Sequence, residues 1–283
     1  MHAAFSGPRG GEGRDHAGPY RLLAVISRDS TSTLYRAAPP GGTAVAVKIP
    51  RPDVDRLTPA TRMMHEHAVL SCITHPNIVR MLDTGELEDG RPYLVFELVP
   101  GEPLARIIKR QGPLPLQRIG RIAAQLLSAG AAVHAAGFVH CDIKSANLIV
   151  HAMEAGDAAK LVGFSAAGLL GTLGGGGTPA YLAPELIAGG APSRASDLYA
   201  CGAVLYEMLS GTPPFTDAPG HDLLQRRALL PDPPSARRGD SAIPPRLDAV
   251  VLGALVRSPA ARPASCDELA RAFAGALPGA GAS

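Results

Sequence analysis

The residues of this chain that could do chemistry are concentrated in the segment HCDIKSAN at 140–147. Asp142 supplies a carboxylate that can orient a hydroxyl group, Lys144 a nearby cation, and Asn147 an amide able to hold a metal ion. Transfer of a phosphoryl group needs these residue types, because it depends on positioning and on neutralising charge. It also needs an acidic metal ligand further along the chain, where the sequence has Gly163. The pattern predicts a phosphoryl-transfer scaffold with one central part missing.

A lysine and a glutamate form a second candidate pair. The apolar run at 44–47 leads directly into Lys48, so the ammonium group would lie in a partly dry cleft. The alternative is a surface lysine whose stem covers apolar atoms while its charge stays in water. A helical pattern at 58–73 supplies Glu66 as a candidate partner.

Composition excludes several classes of protein. With 283 residues and 46% hydrophobic content, the chain can bury the core of one bilobal domain or of two small domains. A net charge of +2 does not indicate a nucleic acid or an anionic membrane as partner. The four cysteines form no C-x-x-C pair, which is typical of reduced thiols in a cytoplasm. Because neither a secretion signal nor a long apolar run is recognisable, we expect a cytoplasmic protein without a membrane span.

The apolar patterns divide the chain into a strand-rich part and a helical part. Short apolar runs between Pro/Gly turns predict strands at 20–26, 33–38, 43–49 and 93–98, with the helix 58–73 among them. Apolar residues at three- and four-residue spacing predict helices at 103–110, 116–136, 194–210, 220–229, 245–256 and 265–275. This predicts an α+β fold with a small antiparallel sheet carrying one helix, followed by a mainly helical part. The predicted ranges are a flexible tail at 1–18, a domain at 19–276 divided into 19–98 and 99–276, and a flexible tail at 277–283.

Taken together, the motifs resemble those of the protein kinase family, in particular the bacterial Ser/Thr type. The resemblance covers about residues 20–275, and the order and spacing of its motifs are more specific than any one of them. Lys144, two residues after Asp142, favours Ser/Thr over Tyr kinases. The matching segments are VAVK (45–48), Glu66, HPNIV (75–79), YLVFELVPGEPL (93–104), HCDIKSAN (140–147), GTPAYLAPE (177–185), SDLYACGAVLYEMLSGTPPF (196–215) and RPAS (262–265).

The resemblance implies a bilobal kinase-like fold and gives roles to residues by position. Lys48, paired with Glu66, would bind the α- and β-phosphates of ATP; Asp142 would orient the acceptor hydroxyl, with Lys144 beside it; and Asn147 would hold a magnesium ion. By the same resemblance, adenine would contact Leu34, Ala46, Ile149 and the backbone from Glu97 to Val99. A regulatory spine would consist of Leu70, Met81, His140 and Phe164. Asp197 would anchor the catalytic loop, and Glu185 would pair with Arg262.

Three departures from the kinase pattern bear on activity. Gly163 stands where the family has an aspartate that chelates magnesium. Asp157 is predicted in a turn before a strand at 160–162, too far away to replace it. The loop 27–32 reads SRDSTS where the family has three glycines, so its side chains hold the backbone away from phosphates. Cys141 replaces an arginine that in many kinases binds an activation-loop phosphate, and Thr172 is the sole hydroxyl at 166–177.

These observations favour a pseudokinase that acts by binding a protein partner, with weak ATP binding and weakened magnesium binding. The alternative is a slow Ser/Thr kinase, because the other catalytic residues are retained; Asp29 is then a candidate for helping to hold a metal ion. Phosphoryl transfer to a small molecule and nucleotide hydrolysis remain as lesser alternatives. Retention of Lys48, Glu66 and Asp142 also has a structural explanation, since one half of a buried ion pair is costly to lose.

Overall fold

A computed structural model of the protein describes residues 15–51, 57–154, 156–166, 179–215, 235–237 and 242–279. The predicted helix 220–229, Thr172 and the outer parts of both predicted tails lie outside these ranges. The chain divides into two compact units. The first unit comprises residues up to Ser71 together with Val79–Val99, and the second comprises Cys72–Ile78 and the residues from Pro100 onward.

The first unit is an antiparallel sheet with one helix. In chain order its elements are β1 (His16–Ala17), β2 (Tyr20–Arg28), β3 (Ser32–Ala38), β4 (Val45–Pro50), α1 (Leu57–Cys72), β5 (Met81–Glu86) and β6 (Pro92–Glu97). The strands lie in the order β1-β2-β3-β4-β6-β5, so β4 is an inner strand, and all six of its residues are buried. Because side chains alternate along a strand, Val45, Val47 and Ile49 enter the apolar core on one face, whereas Ala46 and Lys48 lie on the other.

The strands predicted at 20–26, 33–38, 43–49 and 93–98 correspond to β2, β3, β4 and β6, and the helix 58–73 corresponds to α1. The prediction missed β5, whose sequence MLDTGE lacks an apolar run and is largely exposed. It also assigned residues 1–18 to a flexible tail, whereas His16–Ala17 pair with β2 and Ala17 is fully buried. The folded part therefore begins before residue 19.

The second unit is mainly helical and contains a small sheet in the order β7-β8-β9. Its strands are β7 (Glu102–Pro103), β8 (Leu148–Met153) and β9 (Gly156–Leu161), and its helices are α2 (Leu104–Gln111), α3 (Leu116–Ala135), α4 (Pro184–Ile187), α5 (Arg194–Ser210), α6 (Pro245–Ala254) and α7 (Cys266–Ala276). These helices agree with the predictions that fall on described residues, apart from the short α4.

Helix α5 is the central helix of the second unit, because its residues from Ser196 to Leu209 are all buried. The helix begins with a capping box in which Ser193 and Ser196 satisfy each other's backbone N–H groups. It ends at Gly211, whose φ of +81° suits a glycine at a helix terminus. A Cβ at Gly202 would come within 2.8 Å of the Ala254 Cβ, so a glycine allows the close packing of α5 against α6.

The architecture confirms the predicted α+β fold class, with a small antiparallel sheet and one helix in the first unit and a mainly helical second unit. All four cysteines are free thiols. No helix among the described residues is both long enough and apolar enough to cross a membrane.

Candidate active site

In the first unit, Lys48 and Glu66 form a buried ion pair. The Nζ atom of Lys48 lies 2.5 Å from Glu66 Oε2, and the two side chains are 11% and 3% exposed. Leu34 lies directly opposite Lys48 in the β3–β4 ladder, so it shares one face of the sheet with Ala46 and Lys48. The structure thus brings these residues, assigned to adenine and phosphate, onto one surface. Their roles in binding remain predictions.

The other residues assigned to adenine lie on different elements. Glu97 ends β6, and its carboxylate accepts a hydrogen bond from the backbone N–H of Arg80 at 2.8 Å. Val99 follows β6 as a half-buried residue, and Ile149 belongs to β8 of the second unit. The sequence did not indicate the contact between Glu97 and Arg80, which fixes the start of β5 beside the end of β6.

The loop between β2 and β3 is held by Asp29. Its Oδ1 atom accepts hydrogen bonds from the backbone N–H groups of Thr31 and Ser32 at 2.7 and 2.6 Å, and its Oδ2 atom accepts one from the Ser32 hydroxyl at 2.9 Å. Burial raises the pKa of Asp29, but these hydrogen bonds outweigh that effect and the net shift is downward. Because both oxygens are engaged within the turn, the hypothesis that Asp29 helps to hold a metal ion receives no support.

In the second unit, the predicted catalytic residues form a closed hydrogen-bonded cluster. The ammonium group of Lys144 lies 2.9 and 2.8 Å from the two carboxylate oxygens of Asp142. The amide nitrogen of Asn147 donates to the Asp142 carbonyl at 2.8 Å and to its Oδ2 atom at 2.9 Å. The structure therefore brings Asp142, Lys144 and Asn147 together, with the amide oxygen of Asn147 left as a potential metal ligand.

Asp197 anchors this loop from α5, as the kinase resemblance implies. Its Oδ2 atom accepts from the backbone N–H of His140 at 2.7 Å and its Oδ1 atom from that of Cys141 at 2.9 Å. His134 Nε2 also lies 2.9 Å from Asp197. Burial alone would lower the pKa of His134, but hydrogen bonds with Asp197 and Cys266 and their negative charges raise it to about 9. A protonated His134 thus helps to compensate the buried charge of Asp197.

The residues assigned to a regulatory spine are divided between the units. In the second unit, the rings of His140 and Phe164 lie 4.4 Å apart between centroids, and both residues are fully buried. In the first unit, Leu70 is buried on α1 and Met81 begins β5. The tilted contact between the rings of His140 and Phe164 holds the residue that directly follows Gly163.

Gly163 adopts a φ of +82°, which glycine reaches without steric cost. A Cβ built at this position would lie 2.7 Å from the amide nitrogen of Asn147 and 3.1 Å from its oxygen. Asn147 therefore packs into the space that a side chain at position 163 would need. Aspartate is among the residues that tolerate positive φ best.

The acidic side chains of the described residues do not make a metal centre. No group of three or more His, Cys, Asp and Glu side chains in the described ranges could hold a metal ion. Asp157 lies within β9 and not in a turn before it, because the strand already begins at Gly156, and Arg118 on α3 holds its carboxylate with two hydrogen bonds of 2.9 Å. Magnesium prefers octahedral oxygen coordination that includes carboxylates, whereas here Asp142 is bound by Lys144 and position 163 offers no donor. The residues present therefore do not fit magnesium bound in the way the resemblance implies.

Cys141 directly precedes Asp142. Its backbone has a φ of +66°, which few residues other than glycine adopt. Burial, together with the negative charges of Asp197 and Asp142, raises the pKa of the Cys141 thiol to about 12. Because the thiolate is the reactive form, this cysteine is held in an unreactive state despite its position beside the catalytic loop.

We expect iodoacetamide at pH 8 to modify Cys141 about 10³-fold more slowly than an ordinary free thiol, because a pKa near 12 leaves roughly one thiol in 10⁴ ionised. The exposed Cys72 is the internal comparison, followed by peptide mass spectrometry over time. The rate at Cys141 should rise about tenfold for each pH unit while the fold persists. Equal labelling rates at the two cysteines would contradict the assignment.

Sequence reasoning missed a buried polar cluster under the catalytic loop. The Tyr181 hydroxyl lies 2.9 Å from the Ser145 hydroxyl and donates to Glu207 on α5 at 2.7 Å. Burial, followed by the charge of Glu207, raises the pKa of Tyr181, and burial also raises the pKa of Glu207. The cluster ties HCDIKSAN to the segment around Tyr181. No sequence spacing connects these three residues, so no local signal could have revealed the cluster.

The predicted pair of Glu185 and Arg262 is present. Two guanidinium nitrogens of Arg262 each donate to one carboxylate oxygen of Glu185 at 2.7 Å, and the Arg262 side chain is fully buried. The contact joins the start of α4 to the segment before α7.

This combination of a lysine-bearing sheet, a catalytic loop anchored from a central helix and a Glu–Arg pair is that of a protein kinase. The family model described as "Protein kinase domain" matches residues 20–272, so the chain belongs to the protein kinase family.

Curated relatives with which the chain shares about a third of its residues are bacterial serine/threonine-protein kinases. It is 33% identical to pkn3 of Myxococcus xanthus over 90% of this chain and 49% of the relative. It is 37% identical to PknB of Mycolicibacterium smegmatis over 76% of this chain and 36% of the relative. It is 32% identical to PknD of Mycobacterium tuberculosis over 92% of this chain and 40% of the relative. The chain thus spans at most about half the length of these relatives.

Proposed function

We propose that this Ser/Thr protein kinase-like chain is a pseudokinase, with phosphoryl transfer absent or severely reduced, that acts by binding a protein partner. The observation that carries the proposal is Gly163. It brings no carboxylate to the place where the family chelates magnesium, and Asn147 fills the adjacent space. Loss of one preorganised electrostatic contact costs roughly 2.7–4 kcal/mol, or about 10²–10³ in rate. Loss of a metal ligand should cost at least as much.

The loop between β2 and β3 supports the same proposal independently. In place of glycines whose backbone N–H groups can approach phosphates, this loop directs the N–H groups of Thr31 and Ser32 to the carboxylate of Asp29. These donors are therefore already satisfied, and the loop carries a negative charge of its own. Both features oppose the binding of nucleotide phosphates. We therefore propose that ATP binds weakly, even with magnesium in solution.

The test is a transfer assay with the purified chain, magnesium, radiolabelled ATP and myelin basic protein as a general Ser/Thr acceptor. We expect incorporation by the natural chain to equal that of Asp142→Asn, because the rate is already limited by the missing metal ligand. Denatured protein gives the background. Robust magnesium-dependent incorporation that Asp142→Asn abolishes would overturn the proposal.

A second candidate function, slow but genuine Ser/Thr protein phosphorylation, is favoured by the intact ion pair between Lys48 and Glu66 and by the ordered Asp142 cluster. Thermal unfolding with ATP in magnesium and in EDTA distinguishes the two functions. If ATP binds, a free ATP concentration 100-fold above its dissociation constant stabilises the folded protein by about 2.7 kcal/mol. Magnesium-dependent stabilisation that Lys48→Ala removes would favour the slow kinase, whereas its absence in the natural chain would favour a binding protein.

A further inference from the structure

A groove on the second unit is lined by none of the residues assigned to catalysis or nucleotide binding. It has a volume of about 440 Å³ and lies between the end of α2, the start of α3 and the β8–β9 hairpin. Three arginines, Arg110, Arg118 and Arg121, line it together with the apolar residues Ile107, Val150 and Met153. We call it the arginine groove. Its volume falls within the range of sites that bind ligands in proteins.

One arginine of the groove is fixed by a half-buried ion pair. Arg118 donates from Nε and from one terminal nitrogen to the two carboxylate oxygens of Asp157, both at 2.9 Å, and from the other terminal nitrogen to Gln111 at 2.9 Å. The Asp157 side chain is only 7% exposed. Arg118 is therefore neutralised and rigid, and it serves as a structural wall of the groove.

A second arginine pairs with a carboxylate at the rim. Arg110 donates to both carboxylate oxygens of Glu102, at 2.9 and 2.6 Å. The hydrogen bonds from Arg110 lower the pKa of Glu102, and the charges of Arg110, Arg106 and Arg118 act in the same direction. The arginines near this rim thus favour the charged form of Glu102. Because the pair is exposed, an incoming anion can compete for Arg110.

The third arginine, Arg121, has no charged partner within the described part of the chain. Arg121 lies exposed on α3, and its guanidinium group makes no hydrogen bond or ion pair with any described residue. A Cβ at Gly156 would lie 3.0 Å from Arg121 Nε. Gly156 has a φ of +115°, a conformation that other residues rarely adopt. Glycine at this position therefore leaves room for the guanidinium group over the hairpin.

Apolar side chains lie beside these charges. Ile107 and Val150 are buried in the wall of the groove, whereas Met153 is 57% exposed on the hairpin. Exposed methionines are adaptable contacts for aliphatic partners. With three arginines and two carboxylates, the groove keeps one excess positive charge next to this apolar surface.

We propose that the arginine groove docks an acidic peptide segment of a protein partner, with Arg121 binding a carboxylate and Met153 contacting an aliphatic side chain of the peptide. The proposal deepens the proposed partner-binding function and rests on it. Charge complementarity favours an acidic peptide. The guanidinium group of Arg121 has no partner among the described residues, and such a group binds carboxylates through paired N–H donors. The groove is open to solvent and runs across α2, α3 and the β8–β9 hairpin. This shape suits an extended peptide better than a small molecule that needs an enclosed pocket.

The test uses a fluorescein-labelled peptide of sequence Glu-Asp-Leu-Glu-Asp-Leu-Glu and measures fluorescence anisotropy against the full chain. We expect micromolar binding that weakens with rising sodium chloride, since exposed charges are screened. Arg121→Glu should weaken binding by at least about tenfold, because it replaces attraction with like-charge repulsion. Met153→Glu should weaken it comparably. Lys109→Glu makes a similar charge change at an exposed site on α2 that does not line the groove, and it should leave the affinity within about twofold.

Three outcomes would overturn the proposal. They are no binding of the acidic peptide, equal binding of a peptide with lysines in place of its acidic residues, and an equal loss of affinity in Lys109→Glu and Arg121→Glu. Displacement of the peptide by inorganic phosphate at equal concentration would show a general anion site and would also count against it. The transfer assay is independent, so an active kinase that still bound the peptide through Arg121 would refute the pseudokinase proposal and leave the groove in place.

Discussion

Substitution of Gly163 by aspartate is expected to raise magnesium-dependent phosphoryl transfer by about 10²–10³-fold over the natural chain. The new carboxylate would stand beside the amide oxygen of Asn147 and complete a pair of oxygen ligands. The same variant should acquire stabilisation by ATP in magnesium that is absent in EDTA. The transfer assay measures the first effect and thermal unfolding measures the second, each against the natural chain.

The structure also sets a limit on this gain. A Cβ at position 163 lies 2.7 Å from the amide nitrogen of Asn147, which is held by two hydrogen bonds to Asp142. The Asn147 side chain must therefore shift before the carboxylate fits. The loop around Asp29 is unchanged in the variant, and we propose that it weakens phosphate binding, so we do not expect the rate of a complete kinase.

Gly163→Ala is the matched control, because it adds the same Cβ without a carboxylate. We expect it to lose about 1–2 kcal/mol of stability to the positive φ and to gain no transfer activity. If alanine and aspartate raised activity equally, the effect would be steric rather than electrostatic. A folded Gly163→Asp protein with neither transfer nor magnesium-dependent ATP binding would show that the missing carboxylate is not what limits this chain.

The parts of the site that lie on regular elements could be predicted from the sequence. Side chains alternate between the two faces of β4, so Lys48 lies on the face away from Val47 and Ile49. The helical repeat of α1 places Glu66 on its buried face. Both features are local, so the residues and their pairing could be inferred before the structure. The absent carboxylate at Gly163 is equally local, because it is a residue type at a position in a motif.

Features built from distant segments could not be predicted in the same way. Asn147 occupies the space that a side chain at position 163 would need, and this depends on the conformation of two loops. The pair of Arg118 and Asp157 joins residues 39 positions apart, and neither residue belongs to a motif. Strand β5 escaped prediction because it has only two apolar side chains and is largely exposed, while hydrogen bonding to β6 rather than burial of apolar area holds it in the sheet. Backbone pairing leaves no trace in the hydrophobic pattern.

The function of Asp29 shows why a residue type alone can mislead. The kinase resemblance places the loop 27–32 at the nucleotide phosphates, where an acidic residue suggests a metal ligand. Here the carboxylate closes its own turn, with Thr31 and Ser32 as donors, and takes over the structural task of holding the loop. Asp and Ser side chains commonly bond to nearby backbone groups in this manner. The loop is therefore ordered by hydrogen bonds that occupy two of its own backbone N–H groups.

The second large effect is expected at Arg262, where substitution by alanine should destabilise the protein by about 3–5 kcal/mol. All five N–H donors of an arginine side chain are used here. Three of these hydrogen bonds go to the carbonyl oxygens of Val256, Ala195 and Arg257, and two go to the carboxylate of Glu185. The guanidinium group also lies 4.9 Å from the centre of the Tyr199 ring. Removal of the side chain leaves a partly buried carboxylate without compensation and three carbonyls without donors.

Urea unfolding followed by circular dichroism measures this effect, with Arg257→Ala as the control. Arg257 is an exposed arginine on the same segment, and its loss should change stability by no more than about 0.5 kcal/mol. Arg262→Lys keeps the charge but offers three donors in place of five, so it should fall between the natural chain and alanine. If Arg262→Ala does not fold, the lysine variant still supplies a midpoint. An unchanged midpoint in Arg262→Lys would mean that charge alone stabilises this junction and that the hydrogen bonds to the backbone carbonyls contribute little.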